Sequence, residues 1–173
     1  MTVLILGSSS AEPGTQKRAV YDAFMPWICR RVPQVAAAGV SHLGEGVIFL
    51  VATGAEANSR PLAAVLFHNY QPAWKTIEVT MAAVTPIWAK KAAISTMLRY
   101  VFDELGCERL QAVTAKRGSG PKRARRFLEH LGFKFEGVGR RAFGSDDAVM
   151  FSMLRTDAQY WLTGIRPHDR AAA

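Results

Sequence analysis

Several features that mark particular classes of protein are scarce or absent in this 173-residue chain. It has two cysteines, Cys29 and Cys107, which are too few for a disulfide framework and favour reduced, mostly buried thiols. No apolar run approaches the roughly 18 residues that a membrane-spanning helix needs, and the start MTVLILGSSSAEPG lacks the regions of a signal peptide. The four histidines share no ligand spacing with each other or with the cysteines. We therefore expect a cytoplasmic protein with no membrane partner and no metal site.

Acidic residues are also in the minority. The chain has 14 Asp and Glu against 22 Lys and Arg, a formal net charge of +8. Such a surplus attracts anions, but it does not choose between nucleic acid, an acidic protein and a phosphorylated cofactor. With 49% hydrophobic residues, no linker and no internal repeat, the composition predicts one domain over residues 1–155 and a C-terminal tail over 156–173.

The hydrophobic period changes within residues 74–105. Alternation over 74–83 predicts a strand that places Glu78 opposite its apolar residues. Over 89–105 the apolar residues recur at three- and four-residue steps, which predicts a helix packed on a sheet. Lys90 and Lys91 lie at the start of this helix, where exposed amides and the helix dipole favour an anion. We interpret this helix start as the seat of a phosphate-bearing cofactor.

The other patterns predict the order strand, helix, three strands, helix, strand, helix and two strands. The predicted elements are a strand at 3–6, a helix from Thr15 to about Arg31 that Pro26 should bend or divide, an irregular stretch at 33–46, strands at 47–52 and 60–70 joined by a turn, a strand beginning at Trp74, a strand at 108–115, a helix at 119–132 with Ala124, Phe127, Leu128 and Leu131 inward, a hairpin at 133–154 around GSDD, and a helical turn near Tyr160 and Trp161. Hairpins are antiparallel, whereas the strands on either side of the 89–105 helix should be parallel.

This order resembles that of the GNAT family of acetyl-CoA-dependent N-acetyltransferases, as do VTPIWAKKAAISTML after the fourth strand and RRFLEHLGFKFEGVGRR later. The LGFKFEG segment is similar to the subgroup of ribosomal-protein N-terminal acetyltransferases and small phage-encoded relatives. The resemblance covers about residues 47–154. It implies an α/β (α+β) fold with a mixed, mostly antiparallel central sheet of about seven strands and helices on both faces.

The resemblance also implies where acetyl-CoA, the co-substrate, binds. In such enzymes the pantetheine arm lies between the fourth and fifth strands, which splay apart, and the pyrophosphate lies on the loop entering the next helix. The family pattern Q/R-x-x-G-x-G/A falls on residues 89–94 here, with Ala89 for Gln/Arg and with Ala92 and Ile94 for the glycines. The predicted cofactor-binding residues are Val84, Trp88, Ala89, Lys90, Lys91, Ala92, Ala93, Arg117 and Lys122.

Two of these predictions have alternatives. Trp88 either roofs the cofactor groove or simply packs in the turn. The basic run at 116–126, which supplies Arg117 and Lys122, has three interpretations: a clamp for the cofactor's phosphates, an RNA contact, or a solvated helix face.

Glu78 is the predicted catalytic residue. It lies on the strand that carries the thioester in the family and matches the general-base glutamate of histone-type members, which takes a proton from the amine. The alternative interpretation is an outward-facing glutamate paired with a lysine. The tyrosine that protonates the thiolate in many relatives corresponds to Leu128, and an asparagine near the start of that helix corresponds to Pro121, so the general acid is not identified.

The leading functional hypothesis is an N-acetyltransferase in which a primary amine, on a protein N-terminus or a small molecule, attacks acetyl-CoA directly. Two hypotheses from other classes stay open. One is a catalytically degenerate GNAT-fold protein that serves as a binding or structural component, for instance of a phage-related assembly, because the phosphate loop is altered. The other is an RNA-binding module that uses residues 116–126. An oligomer is compatible with each of the three.

Overall fold

A computed structural model of the chain describes residues 2–53 and 60–164, apart from the side chains of Thr2 and Val3. The strands are β1 (Thr2–Ser8), β2 (Gly46–Thr53), β3 (Arg60–Gln71), β4 (Thr76–Ala83), β5 (Arg109–Ala115), β6 (Lys134–Phe143) and β7 (Asp146–Leu154). The helices are α1 (Gln16–Arg31), α2 (Pro33–Ala38), α3 (Lys91–Arg99), α4 (Ser119–Leu131) and α5 (Gln159–Thr163). The predicted turn at 54–59 and the end of the predicted tail, 165–173, lie outside the described residues.

The predicted fold class is confirmed. The described strands form a seven-stranded sheet in the order β1-β2-β3-β4-β5-β7-β6, and the pairs β1–β2, β2–β3, β5–β7 and β6–β7 are antiparallel. Packing divides the chain into two compact units, Met1–Tyr70 with Glu78–Met97 and Gln71–Ile77 with Leu98–Ala173. The prediction of a single domain over 1–155 stays a prediction.

In the first unit, α1 and the segment after it cover one face of the β-strands. Thr15 caps α1 as predicted, because its Oγ1 accepts a hydrogen bond from the backbone N–H of Arg18 at 3.2 Å. The helix runs through Pro26 undivided, so a division at Pro26 is wrong, whereas a bend there stays a prediction. The buried cluster on this face takes its members from α1, α2, the following turn and the strands: Tyr21, Met25, Ile28, Val35, Leu43, Ile48, Leu50, Ala64, Leu66 and Ala82.

Three other predictions need correction. Residues 33–46 are not irregular, because they form α2 and a 3-10 turn, Val40–Leu43. β4 begins at Thr76, whereas Trp74 ends a separate 3-10 turn and is 76% exposed. Finally, α3 begins at Lys91 and not at Ala89, because a 3-10 turn, Pro86–Trp88, comes between β4 and the helix.

In the second unit, β5, β7 and β6 lie side by side, with α4 between β5 and β6 in sequence. The helix ends at Gly132 as predicted; its φ of 102° is left-handed, a conformation that glycine adopts without steric cost. Leu128 and Leu131 are buried, but Ala124 is exposed, so its predicted inward position is wrong. The closing hairpin is confirmed, with Gly144 and Ser145 as its turn.

Candidate functional site

Glu78 lies half-buried on β4 and faces the side of the sheet that packs against α1. Ala82, four residues further along the strand and therefore on the same face, belongs to the buried cluster with α1. Asn69 Nδ2 donates a hydrogen bond to Glu78 Oε1 at 2.7 Å. The hydrogen-bond partner of Glu78 is thus a neutral amide and not the lysine that the alternative interpretation expected. An amide holds the carboxylate in place without neutralising its charge, so Glu78 can still accept a proton.

The backbone of Asn69 explains how its side chain reaches Glu78. Asn69 has a φ of 51°, in the left-handed region that asparagine adopts more readily than most residues with a side chain. Such a residue changes the direction of its side chain relative to a regular strand. We interpret Asn69 as a positioning residue for Glu78.

A pocket of about 360 Å³ opens beside Asn69. It is lined by Ser41, His42, Leu43, Gly44, Glu45, Asn69 and Tyr70. These residues come from the 3-10 turn and loop before β2 and from the end of β3. The volume lies in the range of small-ligand sites, about 300–1,000 Å³. The carboxylate of Glu78, which can accept a proton, is therefore hydrogen-bonded to a residue that lines the pocket, Asn69.

The loop that lines this pocket is anchored at its end by Ser9. Ser9 Oγ accepts a hydrogen bond from the Gly46 N–H at 2.5 Å, and the Ser9 N–H donates to the Gly46 carbonyl at 2.9 Å. A Cβ on Gly46 would lie 2.9 Å from Leu66 Cδ1 and 3.1 Å from the Phe67 carbonyl oxygen, so the close approach of the backbones requires glycine here. The hydrogen bonds to Ser9 and the close packing of Gly46 both restrain Glu45, the pocket-lining residue just before Gly46.

His68, the residue before Asn69, is buried next to the site. Its Nε2 lies 3.0 Å from Thr80 Oγ1, and its Nδ1 has no hydrogen-bond partner among the described residues. Burial lowers the pKa of His68; the negative charge of Glu78 opposes this shift and His42 adds to it. His68 is thus a cross-strand core residue, and it is neutral at neutral pH.

The predicted phosphate-binding residues also lie in the first unit, on the turn and helix start after β4. Lys90 and Lys91 are exposed. The Ile94 N–H donates to the Lys90 carbonyl at 3.1 Å, which makes Lys90 the cap of α3. The amides of Ala89 and Lys90 are used within the preceding turn, where they donate to the carbonyls of Pro86 and Trp88. The donors best suited to an anion are therefore the first-turn amides of Ala92 and Ala93.

The exposure of the side chains around this helix start shows which of them pack in the core and which stay accessible to a ligand. Trp88 is 2% exposed and fills the core, as the packing interpretation expects. Ile94, at a glycine position of the family pattern, is 5% exposed, so its side chain is packed inside and does not project from the helix start. Ala92 is exposed and small. Val84 is 54% exposed, and its N–H donates to the Leu62 carbonyl at 2.9 Å.

Arg117 and Lys122 lie in the second unit, and the basic run there is partly matched by acids. Lys116 Nζ lies 2.9 Å from Asp147 Oδ2, and the Arg117 N–H donates to Asp146 Oδ2 at 3.1 Å. The Arg117 side chain itself is 80% exposed, and its Nε lies 3.9 Å from Asp146 Oδ1. Lys122 is also exposed. The sequence did not reveal this pairing because Asp147 and Asp146 follow their partners Lys116 and Arg117 by about 30 positions. A role of Arg117 and Lys122 in cofactor binding stays a prediction.

Sequence reasoning missed Asn69 and the pocket residues of the 41–45 segment. The only local signal was the polar NY pair that ends an apolar strand. Among the described residues, no group of three His, Cys, Asp or Glu side chains is placed to hold a metal ion. Nor does any described helix combine the length and apolarity needed to cross a membrane.

Comparison with known proteins finds matches among solved structures. No protein-family model matches the chain, and no curated protein matches it significantly. A putative acetyltransferase of known structure is 26% identical, with a TM-score of 0.58 over 83% of this chain and 85% of the other. A putative acetyltransferase from T. thermophilus is 23% identical, with a TM-score of 0.60 over 93% and 90% of the two chains.

Two further matches bear on the predicted resemblance. A GCN5-related N-acetyltransferase from Brucella melitensis is 22% identical, with a TM-score of 0.55 over 87% of this chain and 63% of the other. The ribosomal-protein-S5-alanine acetyltransferase from Vibrio fischeri is 16% identical, with a TM-score of 0.53 over 74% and 70%. The resemblance predicted from the sequence is thereby confirmed at the level of the fold.

Proposed function

Because this chain has the fold of the GNAT acetyltransferases, we propose that it is an N-acetyltransferase that moves an acetyl group from acetyl-CoA to a primary amine. The observation that carries the proposal is the half-buried Glu78 carboxylate, which is held at 2.7 Å by Asn69, a residue that lines a pocket. The similarity to a 26% identical putative acetyltransferase supports it.

The residues at the start of α3 fit the phosphates of acetyl-CoA. Lys90 and Lys91 supply exposed positive charge, and the amides of Ala92 and Ala93 lie at the positive end of the helix dipole. The side chains at Ala89 and Ala92 are small enough for a phosphate to approach the backbone, and the bulk of Ile94 is buried. Acetyl-CoA, when bound, supplies an acetyl group activated as a thioester.

Glu78 has one chemical task in this proposal. An amine must lose its protons before and during attack, since only the neutral nitrogen has a free electron pair. As the nitrogen bonds to the carbonyl carbon and the carbon–sulfur bond breaks, Glu78 takes the amine proton, directly or through one water, and CoA leaves as the thiolate, which takes a proton from water. Asn69 keeps the carboxylate oriented during this transfer.

Two measurements test the function. Isothermal calorimetry with acetyl-CoA and CoA should show binding, and the absence of heat at millimolar ligand would remove the proposal. Mass spectrometry of a panel of amines and N-terminal peptides incubated with acetyl-CoA should then find a product heavier by one acetyl group.

Glu78→Gln isolates the role of the carboxylate. Gln keeps the size of the side chain and an oxygen for Asn69, but it cannot take a proton, so kcat should fall by about 10²–10⁴-fold while acetyl-CoA affinity stays unchanged. Glu129→Gln is the matched control, because Glu129 is exposed on α4 in the other unit. Equal kcat in Glu78→Gln and the control would exclude Glu78 as the base.

A further inference from the structure

The pocket beside Asn69 differs in charge from the chain as a whole. The chain carries 22 Lys and Arg, yet none of the described residues that line the pocket is one of them. Its titratable lining residues are Glu45, His42 and Tyr70. In a protein with a net charge of +8, a concave surface with a carboxylate and no Lys or Arg repels a cation less than the rest of the surface does.

Two carboxylates lie near Asn69. Gly46 on β2 pairs with His68 on β3, and Glu45, the residue before Gly46, lines the same pocket as Asn69. Asn69 also donates a hydrogen bond to Glu78 of β4, the next strand in the sheet.

The pocket beside Glu45 also offers apolar surface to a short carbon chain. Tyr70 contributes an aromatic ring that is 40% exposed, and Leu43 contributes aliphatic surface to the lining. Aromatic faces also attract ammonium groups. The pocket thus combines one carboxylate with apolar surface, and its Asn69 side is hydrogen-bonded to Glu78.

Resting on the proposed function, we propose that the acceptor is an amine that carries a second positive charge a few bonds from the reacting nitrogen. Glu78 receives the reacting amine, and Glu45 binds the second cation. Glu45 is then a specificity-determining residue and not a catalytic one. Its backbone is restrained for this task by the hydrogen bonds between Ser9 and Gly46.

Three amines with the same number of carbon atoms test the proposal. Cadaverine has an ammonium at its far end, n-pentylamine a methyl group and δ-aminovalerate a carboxylate. We expect kcat/KM to be about 10-fold higher for cadaverine than for n-pentylamine, and lowest for δ-aminovalerate, because one partly exposed ion pair changes affinity by about this factor. Added salt should reduce the advantage of cadaverine.

Glu45→Gln should remove the difference between cadaverine and n-pentylamine by raising KM for cadaverine. Glu129→Gln is again the control. Equal kcat/KM for the three amines in the unmodified protein would overturn the proposal, as would a Glu45→Gln effect of the same size on all three. A higher kcat/KM for the dipeptide Ala-Lys than for Ala-norleucine and Ala-Glu would show that the second charge is also recognised when the acceptor is a peptide N-terminus.

Direct binding separates this inference from the function on which it rests. Calorimetry should show that cadaverine binds about 10-fold more tightly than n-pentylamine, and that Glu45→Gln makes the two equal. Preferential binding without acetylation of any amine would remove the proposed function and keep the cation site. Acetylation without any preference for the second charge would keep the function and overturn the inference.

Discussion

Replacing Glu136 by Gln should weaken a hydrogen-bonded network that ties three strands of the second unit together. Glu136 on β6 accepts hydrogen bonds at Oε1 from Arg109 Nη1 of β5 and from Ser152 Oγ of β7, each at 2.6 Å, and a second guanidinium nitrogen of Arg109 bonds Oε2. Gln preserves the size of the side chain but removes the charge that makes these hydrogen bonds strong.

The size of the effect follows from the pKa of Glu136. Hydrogen bonds from Arg109 and then from Ser152 lower it from 4.5 to about 2. At about 1.36 kcal/mol for each pKa unit, this shift corresponds to at most about 3 kcal/mol of stability. The side chains of Arg109 and Glu136 are 29% and 35% exposed, so water screens the pair, and we expect about 1.5 kcal/mol.

The sign of the pH dependence is set by the direction of this shift. Because the folded pKa is the lower one, the stabilisation is fully present above about pH 4.5, the unfolded value. It is lost as the pH falls from there through about 2. Urea unfolding of the unmodified protein and of Glu136→Gln should therefore differ by about 1.5 kcal/mol at pH 7 and by less than half of that at pH 3.

Two results would refute this reasoning. One is equal stability of the two proteins at pH 7, and the other is a difference that stays constant down to pH 3. Glu129→Gln controls for the loss of a carboxylate as such and should change stability by less than about 0.5 kcal/mol. Ser152→Ala, which removes one donor to Glu136, should cost about 1 kcal/mol.

Two further predictions concern cofactor binding and thiol reactivity. Replacing both Lys90 and Lys91 by Gln should raise the Kd for CoA by about 10-fold at low salt and less at high salt, whereas Lys17→Gln on α1 should not; an unchanged Kd in calorimetry would exclude the helix start as the phosphate site. Burial raises the pKa of Cys107 to about 11, so a thiol reagent at pH 8 should label only Cys29 in the folded protein and both thiols in urea, and equal labelling rates would contradict the burial of Cys107.

Local patterns predicted most of the elements because they depend on residues close in sequence. Thr15 caps α1 and Gly132 ends α4, and each needs only its own helix to do so. Strands β2 and β3 follow from apolar runs whose members pack on one another. The errors fell where local signals compete: Pro26 lies inside a helix that tertiary packing maintains, and the turn after β4 uses Trp88 and delays the helix to Lys91.

Periodicity and helix-end chemistry, which are encoded within a few residues, predicted most of the elements and the candidates Lys90 and Lys91. The resemblance of the sequence to the GNAT family implied the fold class and the candidate Glu78. Only the tertiary structure decided what surrounds Glu78. Asn69 is nine positions away, and the pocket loop with Glu45 precedes Glu78 by more than thirty. Strand register and a left-handed backbone at Asn69 bring these groups together, and neither leaves a periodic trace in the chain.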